Sequence, residues 1–232
     1  MTDMFELKAE LFEVLREKGA VLTGVADLKE IIQDEKNIGI SVAVPVPQHI
    51  VEDLKTAPTK EYFDTYHKLN AKLDEIVEAG AEFLIKKGYK AQANTLKIVK
   101  KDENWCTPLP HKTVATNAGL GWIGKNCLLV TKEYGSAVRI SSLITNAPLP
   151  ADEAVKESRC GNCRNCVDKC PAKAFLGVNW SRGMSREKIF IKEVCKKTQL
   201  ERMKKATGID VDLCRLCFAV CPYTQRYLNL KG

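Results

Sequence analysis

No apolar run in the 232-residue sequence approaches the ~20 residues that a helix needs to cross a bilayer. The opening residues, MTDMFELKAE, lack the basic and apolar parts of a secretory signal. There is no internal repeat or low-complexity segment, and histidine is scarce, at three residues. The composition, 45% hydrophobic and 28% charged, is that of an ordinary globular protein. It excludes a disordered tail, a collagen-like repeat and a disulfide-knotted peptide. These absences predict a chain without a membrane partner, in the reducing cytoplasm, where its ten cysteines would not form disulfides.

What is present is unevenly distributed. Only Cys106 and Cys127 fall in the first 150 residues; the other eight lie between Cys160 and Cys221. Residues 1–150 hold 19 Lys and Arg against 20 Asp and Glu, whereas residues 151–232 hold 17 against 9. A near-neutral front is thus followed by a basic, cysteine-rich back, with the joint expected at Asn146-Ala-Pro-Leu-Pro150. This division predicts two domains, 1–150 and 151–232.

The front reads as mixed helix and strand. Met4, Leu7, Leu11 and Leu15 share one face of a helix over residues 3–18, stopped by Gly19. Val21–Val25 and Ile38–Val44 are β-branched runs suited to strands. Residues 60–87 form the longest periodic pattern, with Tyr62, Tyr66, Leu69, Leu73, Ile76 and Leu84 on one face. A short helix is expected at His111–Asn117, and strands at Thr95–Val99, Cys127–Thr131 and Val138–Thr145. Interspersed elements of both kinds predict a sheet covered by helices, an α+β architecture.

The cysteine spacing carries the chemistry. Cys160-x2-Cys163-x2-Cys166-x3-Cys170-Pro171 is the bacterial ferredoxin pattern, in which the fourth cysteine ligates the other of two [4Fe–4S] clusters. A second run, Cys214-x2-Cys217-x3-Cys221-Pro222, follows, with Cys195 alone between them. Three thiolates on a tight turn reach three irons of a cubane, and the fourth iron must be met from elsewhere in the chain. The cross-over rule then gives Cys160, Cys163, Cys166 and Cys221 to one cluster, and Cys214, Cys217, Cys170 and Cys195 to the other. Paired zinc sites are the alternative, but zinc takes separated CxxC pairs rather than this triple run. Eight thiolates and two doubly positive cores would remove about four units of charge, taking the chain from +7 to about +3. Cys106 and Cys127 are left as small buried hydrophobes.

Gly119-Leu-Gly121-Trp-Ile-Gly124-Lys125-Asn126 satisfies G-x-G-x-x-G and nearly satisfies the phosphate loop. Both motifs need a strand before and a helix after. Here the order is reversed, and no acidic residue about 20 positions on could hold a ribose. NAD and ATP are therefore excluded.

The stretch His111-Lys-Thr-Val-Ala-Thr-Asn-Ala-Gly-Leu-Gly-Trp-Ile-Gly-Lys-Asn-Cys-Leu-Leu-Val130 resembles a signature of the epoxyqueuosine reductase family, relatives of the reductive dehalogenases. The likeness continues through Gly135-Ser136, Ile144-Thr-Asn-Ala-Pro-Leu149 and the cysteine array. It implies a nitroreductase-like, cobalamin-processing-like front domain followed by a ferredoxin-like double-cluster domain. It implies an iron–sulfur oxidoreductase holding a base-off cobalamin, with corrinoid contacts at Gly119, Gly121, Gly124, Lys125, Asn126 and Ser136. Electrons would come from a ferredoxin or flavodoxin type donor and reach a small molecule or a corrinoid protein.

The sequence departs from the family at its proton donor. Trp105 stands where the family has an aspartate before Pro108, Asp102 and Glu103 are out of register, and the chain ends nine residues after Pro222-Tyr223. These departures argue against tRNA epoxyqueuosine as the substrate and leave the catalytic acid unassigned. His49, His67 and His111 read as surface or packing residues. Two other roles stay open: an electron carrier that reduces a corrinoid held by a partner, and a nucleic-acid binder suggested by nine basic against three acidic residues in Arg182–Lys205. Such a stretch usually covers a solvated helix face.

Overall fold

The computed structural model describes residues 3–100, 102–103 and 106–229. In chain order the elements are α1 (Met4–Glu17), β1 (Leu22–Asp27), β2 (Ile38–Pro45), α2 (Gln48–Asp53), α3 (Lys60–Lys86), β3 (Ala91–Ala93), α4 (His111–Asn117), β4 (Trp122–Ile123), β5 (Leu129–Val130), β6 (Val138–Thr145), α5 (Asn165–Asp168), a 3-10 turn (Arg186–Lys188), α6 (Lys192–Thr207), α7 (Leu216–Ala219) and α8 (Pro222–Leu228). This is the mixed helix-and-strand class that the sequence predicts. Among the described residues, no helix is long and apolar enough to cross a membrane.

Two compact units divide the chain, and they are not its sequential halves. The first comprises residues 1–44, 69–120 and 139–155; the second comprises 45–68, 121–138 and 156–232. Counted along these boundaries the charge asymmetry sharpens. The second unit has 22 Lys and Arg against 12 Asp and Glu, and the first has 14 against 17.

The first unit is built on a four-stranded sheet of order β1-β2-β6-β3. β1 and β2 are antiparallel, from Leu22 opposite Ala43 to Asp27 opposite Ile38. α1 starts where the Asp3 carboxylate accepts from the Phe5 N–H at 3.0 Å, an N-cap that satisfies one of the donors left free in a first turn. Its Leu7, Leu11 and Leu15 are buried with Val25, Ile40, Val42, Leu73, Ile76, Leu84 and Leu143. Met4, expected on the same face, is instead exposed, because it opens the helix ahead of the packed turn. Asp152 ties the unit together: it pairs with Lys8 at 2.7 Å and accepts from the Val25 N–H at 2.8 Å.

Two expected strands differ. Thr95–Val99 is a turn, with the Ile98 and Val99 N–H groups donating to the Thr95 carbonyl. The Asp74 carboxylate captures the Leu96 N–H at 3.1 Å, so the ladder partner of β6 is Ala91–Ala93 instead. Cys127–Thr131 shrinks to Leu129–Val130, paired with Trp122–Ile123 as a small hairpin in the second unit. Cys127 lies in its turn at φ 57°, outside the strand region.

Candidate cluster site

Each cysteine run in the second unit builds the same local device. After Cys160 the chain turns, with the Cys163 N–H donating to the Cys160 carbonyl at 3.0 Å, and α5 then carries Cys166. After Cys214 the chain turns again, α7 carries Cys217, and the Cys221 N–H donates to the Phe218 carbonyl at 3.2 Å. Pro171 and Pro222 follow the last cysteine of each run, and Pro222 opens α8, where its missing N–H costs no hydrogen bond.

The thiols group across the two runs. Burial pushes the Cys166 thiol up to about 12, helped by the neighbouring thiols of Cys221, Cys160 and Cys163. Burial likewise pushes Cys195 up to about 11, with Cys170 and Cys214 adding to it, while Arg215 and the Gln199 side chain pull it back. Cys217 is raised by burial and senses Cys214, Cys166 and Cys195. α6 thus brings Cys195, 19 residues before Cys214 in the chain, beside Cys170 and Cys214. Among the described residues, no three His, Cys, Asp or Glu side chains close on a single-ion position. A cubane asks for a wider spread, with one thiolate on each of four irons, and the all-thiolate donor chemistry suits it.

The glycine loop sits in the β4–β5 hairpin, ahead of a strand and not of a helix, so neither nucleotide motif has its structural context. Its glycines are explained by close backbone approach. A Cβ on Gly119 would lie 2.8 Å from the Glu153 carbonyl oxygen, one on Gly124 would lie 2.6 Å from Asn126 Oδ1, and one on Gly121 would collide with the Val130 carbonyl. Lys125 is 5% exposed, and its ammonium donates to the carbonyls of Gly161 (2.7 Å) and Cys163 (3.1 Å). The Asn126 amide donates to Ser136 Oγ at 2.9 Å and approaches the Cys217 carbonyl at 3.5 Å. Ser136 in turn accepts at its hydroxyl, donates its backbone N–H to Thr224 Oγ1 (3.0 Å), and hydrogen-bonds the Cys221 sulfur. The side chains expected to touch a corrinoid thus serve the two cysteine turns.

One residue that spacing did not single out belongs to the site. Arg215 follows the first cysteine of its run at φ 58°, ψ 14°, a left-handed conformation that costs a non-glycine residue about 1–2 kcal/mol. The matching position in the first run is Gly161, at φ 52°. Burial works against the Arg215 charge, but Tyr62, Cys217 and Tyr66 around it favour the charged form. Aligning the two runs would have exposed this Gly-for-Arg difference in the sequence.

The other expected residues lie elsewhere. Asp102 Oδ1 accepts from the Cys106 N–H at 2.8 Å, and Cys106 is exposed rather than buried, whereas Cys127 is buried as expected. Trp105 lies outside the described residues. His49 pairs with Glu61 at 3.0 Å on the surface, and His67 is edge-on to Phe63 and Tyr66. His111 Nδ1 meets Ser142 Oγ at 2.9 Å, and burial, with Arg139 nearby, lowers it to about 4.

Residues 159–224 match the 4Fe-4S double cluster binding domain. The epoxyqueuosine reductase of Lactococcus garvieae is 33% identical over 205 residues, 84% of this chain and 53% of that protein. The chain is a relative of the epoxyqueuosine reductases. It spans about half the length of that curated relative. Its fold matches an epoxyqueuosine reductase solved with an epoxyqueuosine-modified tRNA-Tyr stem loop (TM-score 0.62, 22% identity, 96% of this chain and 66% of that one). It also matches a reductive dehalogenase whose structure suggests a mechanism for B12-dependent dehalogenation (TM-score 0.73, 17% identity, 95% and 32%).

Proposed function

We propose that the chain is an iron–sulfur reductase that passes electrons through two [4Fe–4S] clusters to a corrinoid to reduce an unassigned substrate. The observation that supports this reading is that thiols from both cysteine runs come together, Cys166 beside Cys160, Cys163 and Cys221, and Cys195 beside Cys170 and Cys214. Cys160, Cys163, Cys166 and Cys221 are assigned to the first cluster, and Cys170, Cys195, Cys214 and Cys217 to the second. When bound, the clusters supply one-electron carriers whose potentials thiolate ligation can set very low, and the corrinoid supplies the difficult reduction itself. The corrinoid is supported by the B12-dependent fold relative.

The chain's own residues hold and screen the clusters. Ser136 and the backbone N–H groups of Tyr223 and Thr224 hydrogen-bond the Cys221 sulfur, and Asn126 links the glycine loop to the second cysteine run. Electrons enter, in this reading, at a groove of about 570 Å³ lined by Lys55, Asn165, Lys169, Leu216, Val220 and Gln225. Asn165, Lys169, Leu216 and Val220 are each the immediate sequence neighbour of an assigned ligand. The two lysines suit an acidic donor of the ferredoxin or flavodoxin type.

A second reading is an electron carrier that reduces a corrinoid held by a partner protein. The engagement of Lys125, Asn126 and Ser136 within the second unit favours it. Anaerobic reconstitution followed by cobalamin titration separates the two. Eight irons with a base-off corrinoid EPR signal support the reductase. Eight irons without corrinoid binding sink it and leave the carrier.

A further inference from the structure

The two cysteine turns solve one electrostatic problem in different ways. A buried charge needs a partner, because the desolvation penalty is large otherwise. Lys125 is buried, and the groups its ammonium meets are two carbonyls, those of Gly161 and Cys163 inside the first turn. Arg215 stands in the second turn itself, between Cys214 and Cys217, left-handed at φ 58° at the position where the first turn has Gly161 at φ 52°. One turn has no side chain at that position and receives a cation from the β4–β5 hairpin; the other carries its cation on a left-handed residue. Backbone held in that region persists only where the surrounding structure over-determines it.

We propose that Lys125 and Arg215 are paired counter-cations, one for each cluster, and that each raises the reduction potential of its own cluster. The inference rests on the cluster assignment above. Reduction adds one electron and one negative charge to a cluster without breaking a bond, and a nearby fixed cation favours the more negative state. Both are positioning residues: they touch the cysteine turns, not a substrate.

The test is a dithionite redox titration of the reconstituted full chain, followed by EPR, with an iron count for every variant. Lys125→Met is expected to lower the potential of one cluster and Arg215→Gly that of the other. Each drop should be on the order of tenfold in the reduction equilibrium, about 59 mV for one electron. Arg215→Gly also relieves the left-handed backbone, so a purely structural arginine would leave the potential unmoved. Lys125→Arg and Arg215→Lys, which keep the charge, should hold the wild-type values. Unmoved potentials, a drop shared by both clusters, or an equal drop in the charge-keeping variants would overturn the counter-cations alone. A wild-type chain that takes up no cubanes would overturn the cluster reading and the counter-cations with it.

Discussion

At the scale of single residues, His111 shows how burial turns a common side chain into a pH-dependent element of stability. Its protonation is lowered to about 4 in the folded chain, first by burial and then by Arg139, against an ordinary value of 6.5. Between these values the unfolded chain holds a proton that the folded chain does not, so stability falls as pH drops from about 6.5 towards 4. Above 6.5 the contribution is flat. His111→Gln is expected to remove on the order of 2–3 kcal/mol of that acid loss. Anaerobic thermal unfolding of both proteins from pH 4.5 to 7.5 measures it, and parallel curves would refute it. The Nδ1 contact with Ser142 makes this histidine a packed residue, as its place at the head of a helix suggested, and one that is neutral at physiological pH.

At the scale of elements, the β4–β5 hairpin is the part whose geometry leaves least freedom. Gly121→Ala would drive a methyl group into the Val130 carbonyl on the opposite strand. The strand pair must open, at a cost of about 1–3 kcal/mol, and Lys125 shifts away from Gly161 with it. The expected outcome is a fall of several degrees in Tm together with weaker iron retention at one cluster, read by calorimetry and iron analysis.

Helices were legible in the sequence because they announce themselves locally: Asp3 caps α1, Gly19 ends it, and leucines recur at every fourth residue. The strand expected at 95–99 was not, because the Asp74 carboxylate that captures Leu96 comes from 22 residues away. The same limit governs the site. The nearness of Cys166 to Cys221 followed from cysteine spacing, since the rule is written along the chain. The work of Lys125 and Asn126 was hidden because their partners lie 36 and 91 residues distant. Spacing is also silent about φ, so the left-handed Arg215 and its contact with Tyr62 on α3 had no local signal.

At the scale of the whole molecule, charge is organised by unit and not by position along the chain. The second unit carries the basic excess and the groove beside four assigned ligands. Lys55 is paired with Glu52 across one helical turn, an exposed bridge worth only about 0.3–0.5 kcal/mol, so it can be recruited by an acidic partner. Lys55→Glu with Lys169→Glu is expected to slow cluster reduction by an acidic flavodoxin hydroquinone roughly tenfold at low salt. Reduction by dithionite should be unchanged. Stopped-flow absorbance follows both, and equal slowing by the two reductants would exclude the groove as the docking face. Gel-shift binding of tRNA to the wild type, abolished in the same variant, would instead assign the groove to nucleic acid.

The interleaving of the two units also bears on how such a chain could arise. A ferredoxin is often pictured as a cassette that genes acquire, lose and exchange. Here the segment after residue 150 leaves Tyr62, Lys125, Asn126 and Ser136 behind, although all four serve its cysteine turns. Residues 151–232 expressed alone are expected to retain fewer than eight irons and to lose them quickly in air, which an iron assay over time would show. The cluster segment and the chain before it would then have to be inherited together, with no seam at which recombination could part them.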